Sequence, residues 1–77
     1  MANEHRLARR VRAELAYHRM SAREMAGRIG LSQSAFASRL TGDVDFRFGE
    51  LQAVARELGV PLSTLIPADD QPAQVTA

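Results

Sequence analysis

Apolar residues recur along this chain at helical spacing, in runs separated by short polar or glycine-containing breaks. Leu7, Val11 and Leu15 fall at i, i+4 and i+8 with Ala8 beside them, which predicts an amphipathic helix from about Glu4 to His18. Met25, Ala26 and Ile29 form a second stripe. It is opened by Ser21 with Glu24 three residues on, a pairing that can satisfy two of the amide donors a helix start leaves unpaired. Gly30 suits the left-handed turn that ends such a helix. Only Leu31 stands between it and Ser32, a second capping residue, after which Phe36 and Leu40 share one side of a helix from Gln33 to Thr41. The segment Thr41–Phe46, TGDVDF, reads as a loop with Gly42 as the terminator. Leu51, Val54, Ala55 and Leu58 predict a fourth helix from Arg47 or Phe48 to Leu58, capped by Gly59. Pro61 then opens a short fifth helix through Leu62, Leu65 and Ile66. The expected core is Phe36, Phe48, Leu51, Val54, Leu58 and Val60, with Met20 and Met25 as packing residues. Pro67–Ala77 is polar and without period, so the division is a folded domain over 1–66 and a flexible tail over 67–77.

The second and third helices have the more specific geometry. A corner this short forces them to cross steeply, and Ala26 is small enough for the backbones to meet, which is the physical description of a helix-turn-helix. The outward side of the third helix carries Gln33, Ser34, Ala37, Ser38 and Thr41, all small or neutral and mostly able to hydrogen-bond. Two readings fit that surface. It can be an ordinary solvated helix face, or it can enter the DNA major groove, where Gln pairs bidentately with adenine and Ala or Ser lies beside a thymine methyl.

Composition narrows the classes. A chain of 77 residues makes one small domain with little core to spare for a catalytic cavity. It has no cysteine, so disulfide and thiolate chemistry are excluded. No apolar run is long enough to span a bilayer and no signal-peptide pattern appears, so the expected location is the cytoplasm. Net charge is only +1, but residues 1–40 hold eight Arg against three Glu, while 41–77 hold two Arg against six acids. All ten basic residues are Arg, whose planar fork suits phosphate. The competing reading is a GC-rich genome that encodes Arg in place of Lys, with the side chains merely solvated. His5 and His18 have no second ligand at i+4, and Asp43 and Asp45 have no further oxygen ligands near in sequence, so no metal or other cofactor is expected. No nucleophile–base pair or phosphate loop appears, and the chain is not expected to be an enzyme.

Ser21–Gly42, with Ala26, Gly30 and the run G-L-S-Q-S, resembles the helix-turn-helix of the lambda repressor and Cro family, also called the XRE family. The likeness continues through FGELQAVARELGVPLSTLI, similar to that family's helices four and five, and covers about Val11 to Ile66. It implies an all-α, five-helix bundle with the helix-turn-helix formed by helices two and three. It also implies that Gln33, Ser34 and Ser38 contact bases and that Ser21 and Thr41 lie near phosphates; Ala37, on the same outward side, is expected at bases with them, and Arg10, Arg19, Arg23 and Arg39 are the arginines expected near phosphates. The implied partner is a double-stranded DNA operator bound by a homodimer, with no membrane and no small-molecule ligand. Any exposed part of Leu62, Leu65 and Ile66 is the expected dimer surface. Larger repressors of this family continue into a second domain, so a chain ending here resembles Cro or a stand-alone regulator. V-R-A-E-L-A and Q-S-A-F-A-S-R-L have an actinobacterial flavour, which points to a chromosomal or phage-encoded repressor that blocks polymerase and sits on the nucleoid when bound.

Departures from the family pattern carry information of their own. Many relatives place an Arg late in helix one and a Glu near the end of helix three as a partly buried pair. Leu15 and Leu40 stand there in this chain and are expected to touch, which removes the desolvation cost of the pair. Position 39, often apolar in the family, is Arg; its stem is expected to cover the core with its head turned to solvent or DNA. Ala22 replaces a Gln that reaches phosphate, leaving Gln33 less well braced and Arg23 to supply charge. Asp43 and Asp45 would repel a DNA backbone unless they face away. Those features leave a second class open, an antitoxin or partner-binding module with weak DNA affinity.

Overall fold

Each predicted break is made by the residue type the local chemistry calls for. The computed structural model describes residues 2–67, and every regular element among them is helical: α1 (Ala2–Tyr17), α2 (Ala22–Ile29), α3 (Gln33–Thr41), α4 (Phe48–Leu58) and a single 3-10 turn at Leu62–Thr64. Ser21 and Ser32 cap α2 and α3 from extended backbone, their hydroxyl oxygens accepting the Glu24 and Ala35 amides at 3.0 Å each. Gly30, Gly42 and Gly59 end α2, α3 and α4 in the left-handed region, which an L side chain enters only at a cost. The reciprocal half of the expected box at α2 does not form. Glu24 turns its carboxylate to Arg28 instead, at 2.9 Å one helical turn along. It is at α4 that an acid reaches back, where Glu50 accepts the Arg47 amide at 2.9 Å.

The apolar stripes meet in one core of Val11, Leu15, Met25, Ala26, Phe36, Leu40, Leu51, Val54, Ala55, Leu58 and Leu65. Helix α3 packs on α1 and α2, while α4 packs on α2 and the 3-10 turn. Leu15 and Leu40 both join this core, in place of a charged pair. Met25 is fully buried, and Met20, Val60 and Leu62 pack against the core from its margin.

Two expectations fail. Phe48 is 61% exposed, although it lies three residues before Leu51 on the extrapolated stripe. Phe48 lies in the first turn of α4, and Phe46, in the loop before it, takes the inner place, its ring edge-on to Phe36 at 6.0 Å. The fifth α-helix is replaced by the 3-10 turn, with Thr64, Leu65 and Ile66 donating to the carbonyls of Pro61, Leu62 and Ser63, each three residues back. Five residues between two prolines, Ser and Thr among them, cannot sustain an α-helix, and Pro67 disfavours the helical conformation at Ile66. Leu65 is fully buried there, which leaves only Leu62 and Ile66 partly exposed as apolar surface. The tail expected over 67–77 lies outside the described residues from position 68 onward. No helix among the described residues is long and apolar enough to cross a membrane.

Candidate nucleic-acid interface

Helix α3 owes its fixed position to its inner side and its chemical openness to the outer one. Phe36 has no exposed surface and Leu40 keeps only 8%, so the helix cannot roll without uncovering the core. The corner before it is rigid for a related reason: the Leu31 amide wraps back to the Ala26 carbonyl at 2.9 Å, five residues earlier, and Ala26 is itself buried. Gln33, Ser34 and Ala37 are exposed on the other side, with Ser38 partly so. The structure thus brings together on one helix the four residues expected at bases.

Hydrogen-bond accounting sets what each hydroxyl can offer. Ser38 Oγ donates to the Ser34 carbonyl at 3.1 Å, and Thr41 Oγ1 donates to the Ser38 carbonyl at 3.0 Å. Their hydrogens are committed to the helix, so both present acceptor lone pairs outward, the complement of the amino groups of adenine and cytosine in the major groove. Thr41 Oγ1 also lies 3.4 Å from the Asp43 amide, which donates to it. In this state Thr41 has no hydrogen left for a phosphate. Ser21 is the reverse case: its oxygen accepts an amide, and its hydrogen stays available to donate.

The arginines divide into outward and engaged groups. Arg10, Arg19 and Arg23 are exposed. Arg19 is the one non-glycine residue among those described with positive φ, at 56°. Arg39 does not turn its head outward as expected. Its Nε donates to Glu50 Oε1 at 2.8 Å, its Nη1 donates to the Ala35 carbonyl at 2.9 Å, and its side chain is only 12% exposed. Burial pushes the Glu50 carboxyl up. The hydrogen bonds from Arg39 and the Arg47 amide, with the charges of both arginines, outweigh that and hold it below the usual glutamate value.

Arg12 and Arg28, which nothing in the local sequence singles out, tie the helices together. Arg12 donates through Nη1 to the Leu40 carbonyl, tying the end of α3 to α1. Arg28 joins Glu24 of its own helix to Glu57 of α4, at 2.9 and 3.2 Å. The hydrogen bonds that Arg28 donates to Glu24 and Glu57 raise its pKa above the ordinary arginine value. The Glu24–Arg28 spacing is visible as an i,i+4 pair, but its continuation to Glu57 is a tertiary fact with no local signal. His18 lies edge-on to Tyr17, ring centroids 5.2 Å apart, with Nε2 3.5 Å from Glu14, and Tyr17 is 80% exposed. Among the described residues no three His, Cys, Asp or Glu side chains come close enough to hold a metal ion.

A protein-family model described as the Cro/C1-type HTH DNA-binding domain matches residues 10–71, a span that contains α2, α3, α4 and the 3-10 turn. Comparison with the curated proteins finds none that matches.

Proposed function

The chain belongs to the Cro/C1-type helix-turn-helix DNA-binding family, and from that premise we propose that it is a sequence-specific transcriptional regulator that reads operator major grooves with α3, most narrowly a phage or Cro-like repressor. The observation that carries this reading is the exposed, neutral, small-residue side of α3, on a helix whose opposite side is locked in the core. Gln33, Ser34, Ala37 and Ser38 read base edges. Arg10, Arg19, Arg23, Ser21 and the amides at the start of α2 hold phosphates and fix register. Thr41 joins them only by releasing its hydrogen bond to Ser38, and Arg39 is assigned instead to the packing of α3. One such helix reads a few base pairs, so two copies act on a near-palindromic site about one helical turn apart, with Leu62 and Ile66 in the dimer contact. The reading assigns no catalysis and no cofactor, and it puts the protein on the nucleoid.

A second reading, a partner-binding module such as an antitoxin, is favoured by one feature: Val44 and Phe48 are exposed in the stretch that carries Asp43 and Asp45. A gel shift with a randomised duplex pool, followed by sequencing of the bound fraction, separates the two. Operator reading gives a consensus. Gln33→Ala then relaxes preference at one position by about 1–3 kcal/mol, whereas Arg23→Ala weakens every duplex alike and flattens the salt slope by about one unit. A bound fraction without consensus, or two variants that bind like the parent, rejects the assignment.

A further inference from the structure

Between α3 and α4 direct packing is sparse, since α3 rests on α1 and α2. One ion pair spans that gap. Arg39 Nε and Glu50 Oε1 stand 2.8 Å apart, with the two side chains 12% and 15% exposed. Each end is anchored a second time on backbone: Arg39 Nη1 on the Ala35 carbonyl, one turn back along α3, and the same Glu50 oxygen on the Arg47 amide at the start of α4. Charge-assisted bonds of this kind are short and directional. Phe36 and Leu40 keep α3 from rolling out of the core, and the Arg39–Glu50 bond resists the smaller rotations about its axis that leave both of them buried. From the other side Arg12 of α1 holds the Leu40 carbonyl, so the last turn of α3 is gripped by two arginines pulling on different neighbours.

We propose that the Arg39–Glu50 pair sets the orientation of α3 on the bundle, and that Glu50 is a specificity-determining residue acting through Arg39. This rests on the reading of α3 as the base-contacting helix. Base edges demand placement within about 0.5 Å and 10–20°, whereas long exposed arginines can follow a phosphate through larger displacements. Loss of the pair therefore costs preference for the right sequence and spares general affinity for duplex.

The test uses the full chain and the variants Glu50→Gln, Arg39→Met and the double variant. Gel shifts give their affinity for the duplex selected from the random pool and for an unrelated duplex of equal length. Residual dipolar couplings without DNA give the angles that relate α3 to α4, including the rotation of α3 about its own axis. Each single variant should lose about tenfold in the ratio of the two affinities, the scale of one lost base contact, with binding to the unrelated duplex changed less than about twofold. The double variant should be no worse than the poorer single one, as expected of residues that act as a unit. The α3–α4 angles should shift in all three. Unchanged angles overturn the proposal, even if the melting temperature falls, because the pair would then be a structural contact only. Retained discrimination in Glu50→Gln also overturns it. So does an Arg39→Met that weakens both duplexes alike while Glu50→Gln does not, since Arg39 would then be gripping phosphate. If the pool yields no preferred duplex, the operator reading itself fails, and the angles in Glu50→Gln alone decide whether the pair orients α3.

Discussion

The two sides of α3 are built on opposite rules. On the inner side Phe36 and Leu40 are wholly or almost wholly buried and supply a large part of the contact that holds three helices together. On the outer side Gln33, Ser34 and Ala37 are exposed to solvent. A helix apolar all round would have no face to offer a partner, and one polar all round would have no fixed place to offer it from. Mutation should separate the two sides. Phe36→Ala should cost about 3–5 kcal/mol, a large share of the roughly 4–12 kcal/mol expected of a 77-residue domain. Denaturant unfolding measures it directly. Gln33→Ala should leave stability within about 0.5 kcal/mol while altering base preference. If Gln33→Ala destabilises on the scale of Phe36→Ala, the outer side is part of the fold and the division is wrong.

The inner side was legible in the sequence because the helical period acts on each residue locally. The same holds for the ends, where Ser21, Ser32, Gly30, Gly42 and Gly59 do chemistry that depends only on their nearest neighbours. Legibility stops where the answer lies on another element. Phe48 has the right spacing for the core and Phe46 does not, yet Phe46 packs on Phe36, because the path of the loop decides which ring reaches inward. Arg39 looks like an outward cation until Glu50, eleven residues on, is brought beside it by the turn into α4. The fifth helix fails for the opposite reason: its apolar spacing is correct, but too few residues stand between Pro61 and Pro67 to close α-helical hydrogen bonds. What could be read of the candidate site was therefore its base-facing side, and what could not be read was the set of contacts that aim it.

Those aiming contacts leave a signature in acid. The Glu50 carboxyl titrates below its ordinary value in the folded chain, so it binds fewer protons than in the unfolded chain. Its contribution to stability is full above the unfolded glutamate pKa of about 4.3 and is lost as pH falls from there through the lower folded value. Protonation of Glu50 leaves the largely buried Arg39 guanidinium without its counter-charge. Thermal melts between neutral pH and pH 3 should show a steeper acid loss in the parent than in Glu50→Gln, with the gap between them narrowing as the pH falls. Equal slopes would mean that the pair adds nothing to folding, and that only the outer side of the comparison needs it.

The smallest expected effect has the opposite sign. Helices α1, α2 and α4 end with the same wrap, in which the amides of Met20, Leu31 and Val60 reach carbonyls five residues back at 2.9, 2.9 and 3.0 Å. The left-handed residue in that wrap is glycine in α2 and α4, and Arg19 in α1. A side chain there costs about 1 kcal/mol relative to glycine, partly offset because glycine also frees the unfolded chain. Arg19→Gly should thus stabilise the domain by up to about 1 kcal/mol, seen as a rise of a few degrees in melting temperature. Arg19 is exposed and supports no part of the core, so nothing in the folded chain opposes that gain. If its guanidinium holds a phosphate, the same substitution should weaken binding to every duplex and lower the salt slope by about one unit. A more stable, more weakly binding variant would place Arg19 with the outer side of α3, kept for its partner at the expense of the fold. A more stable variant that binds as before would return it to the loop between α1 and α2.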